Sequence, residues 1–241
     1  MFLLSVAMAA GVLLMLLTAG CGSEATPPPP GETDQDIDPR VTLRQAVTAV
    51  LKLESASFTL EHLKGTTALI PGFLEMRNIS GVVDLPNKFR LRVEAETVFP
   101  RAFVESRIVV INDQAYMTDP GTGRWNEVSP ESLPFTLLNL DRTLADIIEK
   151  VEGPIFVEPE RLNGIDTHHI SGRVLSQDLA ALVPGAGEGF NVELGLWLDQ
   201  ANSLLVRVLI TGKVVPTDIP DTVRRLTLDD INVPVDISPP E

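Results

Sequence analysis

The chain has 241 residues, a net charge of −14, one cysteine and an aromatic share of only 5%. So acidic a balance argues against nucleic acid as a partner and against electrostatic docking on anionic headgroups. With one cysteine there is no disulfide framework, so stability has to come from an ordinary core, for which the length is ample.

The first 23 residues carry no charged side chain, and Phe2 to Leu17 is almost wholly apolar. Such a run fits the h-region of a signal peptide, and Thr18-Ala19-Gly20 supplies the small residues at which a signal peptidase cuts. Cys21 follows directly. Leu17-Thr18-Ala19-Gly20-Cys21 resembles the lipobox of bacterial lipoproteins, in which the thiol receives diacylglycerol and cleavage leaves that cysteine as the new N-terminus. The competing reading is an uncleaved transmembrane anchor, since about 20 apolar residues can span a bilayer. Both readings put the remainder outside the cytoplasmic membrane, and the lone cysteine at the processing point favours the first: 1–20 as signal peptide, Cys21 as the lipidated residue. Gly22 to Arg40 then combines Pro27-Pro28-Pro29-Pro30 with Glu32, Asp34, Asp36 and Asp38. Proline favours extended backbone and the like charges repel, so 21–40 reads as a semi-rigid stalk and 41–241 as a single folded domain.

The domain opens on a helix. Thr42 and Gln45 have capping-box spacing, and Leu43, Val47, Val50 and Leu51 share one helical face. The period then falls to two. Strands are predicted over 58–63, 79–85, 89–96, 102–111 and 115–118, with turns at Pro86-Asn87-Lys88 and Asn112-Asp113-Gln114. The alternation is cleanest in Phe89-Arg90-Leu91-Arg92-Val93-Glu94-Ala95-Glu96, with apolar odd positions and charged even ones, which predicts one dry and one wet face. Leu144, Ile147, Ile148 and Val151 mark a second helix over 141–152, ended by Gly153-Pro154. Strands resume at 155–157 and 167–174, a short helix is expected over 176–183, and further strands over 190–199, 204–214 and 223–229. The fold class is α+β: a large antiparallel sheet with a few helices.

A resemblance then covers nearly the whole mature chain. It rests on Ser55-Ala56-Ser57-Phe58 after the first helix, Gly81 with Leu85-Pro86, Tyr116 followed by Trp125, and Leu162-Asn163-Gly164 leading to Thr167-His168-His169-Ile170-Ser171-Gly172. Glu193-Leu194-Gly195-Leu196-Trp197-Leu198-Asp199 and the ending from Thr227 to Val235 complete the order. Together these resemble the LppX/LprA/LprF/LprG lipoproteins of the mycobacterial cell envelope. The resemblance implies a strongly curved half-barrel sheet, helices over its concave face, and an apolar cavity between them for the acyl chains of a lipid or glycolipid. It implies a lipid ligand, membrane attachment through the anchor, a membrane lipid exporter as a further partner, and no cofactor. The candidate cavity lining is Phe89, Leu91, Val93, Val192, Leu194, Leu196, Leu198, Val206 and Val208. Such stripes are more often plain core than ligand pocket. An envelope adaptor or sensor with a filled core is therefore the alternative to a lipid carrier.

Catalysis and metal binding find little support. His168 and His169 are adjacent in a strand and point to opposite faces, so they cannot chelate one metal together. Ser171, His169 and Asp166 could be written as a triad, but no nucleophile elbow accompanies them. Gly185-Ala186-Gly187-Glu188-Gly189 lacks the lysine of a phosphate loop and is expected to be a flexible loop near the cavity mouth.

Overall fold

The computed structural model describes residues 38–133, 137–183 and 185–241. The signal segment, Cys21 and nearly all of the stalk lie outside the described residues. The described chain belongs to a compact unit that starts at Ile37.

Helix α1 (Pro39–Val50) begins four residues earlier than the Thr42–Gln45 pattern implies. Asp38 caps it, its carboxylate accepting from the Arg40 backbone N–H at 2.9 Å, and Pro39 stands in the first turn where no amide is needed. Thr42 is instead buried inside the helix, and Leu51 is exposed beyond it. Pro39 and Arg40, assigned to the stalk by composition, are therefore helical.

Eleven strands follow one another by antiparallel pairing, and a twelfth pairs at the side. They are β1 (Ser55–Lys64), β2 (Thr67–Ile70), β3 (Leu74–Asp84), β4 (Lys88–Thr97), β5 (Phe103–Ile111), β6 (Gln114–Thr118), β7 (Trp125–Val128), β8 (Glu152–Leu162), β9 (Ile165–Leu175), β10 (Asn191–Asp199), β11 (Leu205–Thr211) and β12 (Val223–Asp229). The spatial order is β7-β6-β5-β4-β3-β1-β12-β11-β10-β9-β8, with β2 beside β3. The sheet is open, ending at β7 and β8, and the N-terminal strand meets the C-terminal strand at its centre.

Helix α2 (Leu140–Glu149) stops earlier than expected. Gly153 and Pro154 do not end it but lie within β8, while Val151 still packs into the core. The short helix expected over 176–183 is a 3-10 turn, Ser176–Leu179. Strands β2 and β7 and the first half of β3 were not expected from the sequence.

Register shows how one face becomes dry. Val93, Ile79, Leu60, Leu226, Val208, Leu196, Ile170 and Phe156 form one continuous row of paired residues across eight strands. Because side chains alternate, rows two residues away lie on the same concave face and carry Phe58, Val83, Phe89, Leu91 and Leu194. Two glycines allow close approach, one between neighbouring strands and one between the sheet and its cover. A Cβ on Gly81 would lie 2.2 Å from the Arg90 carbonyl oxygen, and one on Gly172 would lie 2.3 Å from Val151 Cγ1, where the chain leaving α2 settles on the sheet.

The two ends of the sheet differ. Connections 85–87, 112–113, 163–164 and 200–204 form the upper end. Connections 65–73, 98–102, 176–190 and 212–222 form the lower end.

Candidate functional site

Between the concave face and the chain that covers it lies a small, partly open apolar cavity. Its floor is Phe58 and Leu60 of β1, Ile79 of β3 and Leu226 of β12, and its roof is Leu137, Leu140 and Leu182. Its volume is about 30 Å³. That is far below the roughly 300–1,000 Å³ of ligand pockets, so sheet and cover meet along a nearly closed apolar seam. A wider groove of about 400 Å³ between α1, α2 and the start of β8 is open to water and carries Arg40, Arg44 and Glu149 among its walls.

The roof is held from both ends. The Asn139 amide donates to the Pro86 carbonyl at 3.1 Å, fixing the start of α2 to the upper end. Below, Ser176 Oγ donates to the Gly187 carbonyl at 2.8 Å, and the Gly187 amide donates to the Val214 carbonyl at 2.8 Å. The glycine-rich loop is thus pinned beside the core rather than free.

Eight of the nine candidate lining residues, Phe89, Leu91, Val93, Val192, Leu194, Leu196, Leu198 and Val208, join the principal core cluster on the concave side. Val206 does not. The β10–β11 register shifts between Trp197 and Leu198, so Val206 packs with Leu162 and Trp197 in a separate cluster. None of the nine lines this cavity. Its floor comes from the central strands, whose alternation in Phe58-Thr59-Leu60 and Leu226-Thr227-Leu228 was visible but gave no sign that the two strands adjoin.

One step below Leu60 and Leu226 the concave face turns polar. His62 pairs across the strands with Arg224. Arg224 is wholly buried; its Nη2 donates to both carboxylate oxygens of Asp218 at 2.7 and 2.8 Å, and its Nε donates to Thr67 Oγ1 at 3.0 Å. Asp218 also accepts the amides of Val214 and Val215. Burial, aided by the Arg224 charge, pushes the His62 imidazole down to about 4. The ring is therefore neutral at pH 7, its nitrogens 2.8 Å from Thr67 Oγ1 and 3.1 Å from the Arg77 carbonyl.

The residues of the notional triad are engaged separately. The His169 ring stacks on Trp197, Ser171 Oγ donates to Glu193, and Asp166 pairs with Arg161. His168 lies on the other face against Phe156, as strand geometry requires.

An open antiparallel sheet whose apolar concave face lies under two helices and a tethered loop defines a class of half-barrel lipoproteins. The chain belongs to the LppX_LprAFG lipoprotein family, whose profile matches residues 38–237. Among solved structures, LprF from Mycobacterium bovis superposes with a TM-score of 0.65 at 19% identity, covering 84% of this chain and 96% of that one. The Mycobacterium tuberculosis lipoprotein LppX gives 0.59 at 18% identity, covering 84% and 100%. At such identities the likeness is one of fold. No curated protein matches the sequence significantly.

Proposed function

We propose that this protein is a lipid-anchored envelope lipoprotein that takes the acyl chains of a lipid or glycolipid between its sheet and its helical cover. It carries or presents them outside the cytoplasmic membrane, held there by diacylglycerol on Cys21. The observation that carries the reading is the seam itself. Among the described residues, seven apolar side chains from the sheet and its cover meet there with no polar side chain between them. An acyl chain entering such a seam gains roughly 25 cal/mol for each Å² it buries. Loading requires α2 and the 176–190 connection to move off the sheet, because the resting volume is too small for a chain. Nothing in this role calls for a catalytic group or a cofactor.

The same small volume favours a second reading, an envelope adaptor whose core is simply filled. Native mass spectrometry of the full-length protein, taken from membranes in mild detergent, separates the two. The carrier reading expects a population heavier by one lipid, recoverable in solvent extracts. Apoprotein alone, with no uptake of a fluorescent fatty-acyl probe, would leave the adaptor.

A further inference from the structure

The lower end of the sheet exposes apolar side chains that the core does not need. Phe99 is 88% exposed and Phe103 64%, while Ile70 and Phe73 are each 51% exposed, Ile219 48% and Val98 40%. Three of the nine phenylalanines in the chain thus face outward at one end. They belong to neighbouring tips. Leu74 pairs with Thr97, and the Val98 amide donates to the Phe73 carbonyl at 2.9 Å, so the 71–73 and 98–102 connections lie side by side. Ile219 sits in the connection from β11 to β12 at the same end. Arg101 adds a cation to the 98–102 connection, and of the nearby carboxylates Glu96 and Asp221 are each paired with a base, Arg77 and Lys64, while Glu75 stands opposite Glu96. Exposed apolar clusters of this kind mark contact surfaces, and aromatic rings suit the boundary between water and acyl chains.

The chain itself selects the occupant. Helix α1 runs toward the upper end, where 51–54 leads into β1, so its first residues lie at the lower end. There Arg40 faces Glu152, Gly153 and Leu175 across a cleft. The 17 residues from Cys21 to Ile37 therefore join the domain at the end that carries the apolar tips. At about 3.1 Å per residue they span about 50 Å, which keeps that end within reach of the bilayer holding the Cys21 lipid. We propose that the paired tips, with Phe99, Phe103 and Phe73 foremost, are a membrane-docking surface that inserts shallowly into the same bilayer and presents the lower end of the sheet to it. The proposal rests on the lipid-anchor reading of Cys21, while the side chains that insert are independent of it.

The test uses lipidated full-length protein reconstituted in phosphatidylcholine vesicles that contain spin-labelled lipid. With Cys21 consumed by its lipid, Phe99→Cys supplies a lone thiol for an environment-sensitive dye, and Ala201→Cys supplies the control at the upper end. The substitution leaves the core untouched, because Phe99 is almost fully exposed. The expected result is a blue-shifted emission at position 99, quenched several-fold more strongly by the spin label than at position 201. Equal quenching at the two positions in protein that floats with the vesicles overturns the docking surface and leaves the lipid anchor standing. A blue shift without lipid quenching assigns the tips to a protein contact and also overturns it. Protein that does not float at all overturns the docking surface and the anchor together.

Discussion

Arg224 and Asp218 form an ion pair in which neither side chain retains any exposure, the guanidinium meeting the carboxylate at 2.7 Å. Removing one partner strands the other charge in the interior, which costs about 3–5 kcal/mol. Asp218→Asn is therefore expected to lower stability by that amount in urea unfolding. Lys64→Ala, which breaks the exposed pair with Asp221, should cost less than about 1 kcal/mol. Equal losses in the two variants would mean that the Arg224 site is hydrated.

His62 makes stability depend on pH. Its folded value, about 4, lies below its ordinary value of 6.5. Between these values the unfolded chain binds the proton that the folded chain refuses, so stability is full above about pH 6.5 and falls as the pH drops toward 4. The displacement corresponds to roughly 3 kcal/mol. Urea midpoints measured from pH 7.5 to 4 should show this slope, and His62→Gln should flatten it. An unchanged slope in that variant would assign the acid sensitivity to other groups.

Leu226 and Val206 test the seam from opposite faces. Leu226→Trp fills the cavity floor and should abolish uptake of a fluorescent acyl probe. Val206→Trp crowds the Trp197 cluster instead, so it should cost about 1–3 kcal/mol in stability while leaving uptake in place. Loss of uptake in the second variant alone would put the lipid site on the wrong side of the sheet.

Trp197 reports on His169. The rings stack with centroids 4.0 Å apart and planes 12° apart, and the indole N–H donates to Glu160 at 2.8 Å. Burial holds the His169 imidazole below its ordinary value. In a Trp125→Phe background, Trp197 fluorescence should be quenched as His169 gains its proton, with a midpoint below 6.5. His169→Gln should remove the transition, and a transition that persists would have another source.

Strand β4 offers a check on register. Leu91 is buried and Arg90 is exposed. Leu91→Ala should cost about 2–5 kcal/mol and Arg90→Ala within about 0.5 kcal/mol. Similar melting temperatures would shift the strand by one residue.

Local pattern was enough for much of the architecture. Alternation from Phe89 to Glu96 located β4 to within a residue at each end and assigned its faces, because a half-buried strand must alternate. The bounds Val223–Asp229 were legible too, from the alternation of Leu226-Thr227-Leu228, but Arg224 breaks that pattern by pointing inward. Boundaries failed where a local signal competed with a tertiary one. Asp38 took the cap from Thr42, and Gly153-Pro154, which reads as a helix stop, was absorbed into an edge strand, where a missing amide hydrogen bond is tolerated.

By itself, then, the sequence determined the alternating strands, two amphipathic helices, an acidic surface and the family to which they belong. Each follows from the chemistry of residues near one another in the chain. The tertiary structure alone decided what depends on distant segments meeting. The pairing of β1 with β12 puts Leu60 beside Leu226 in the cavity floor and His62 beside Arg224 below it. A register shift turns Val206 away from the core, and the packing of the described cover on the central strands leaves a cavity of about 30 Å³. Cavity volume is a small difference between large packed volumes, and no periodicity along the chain encodes it.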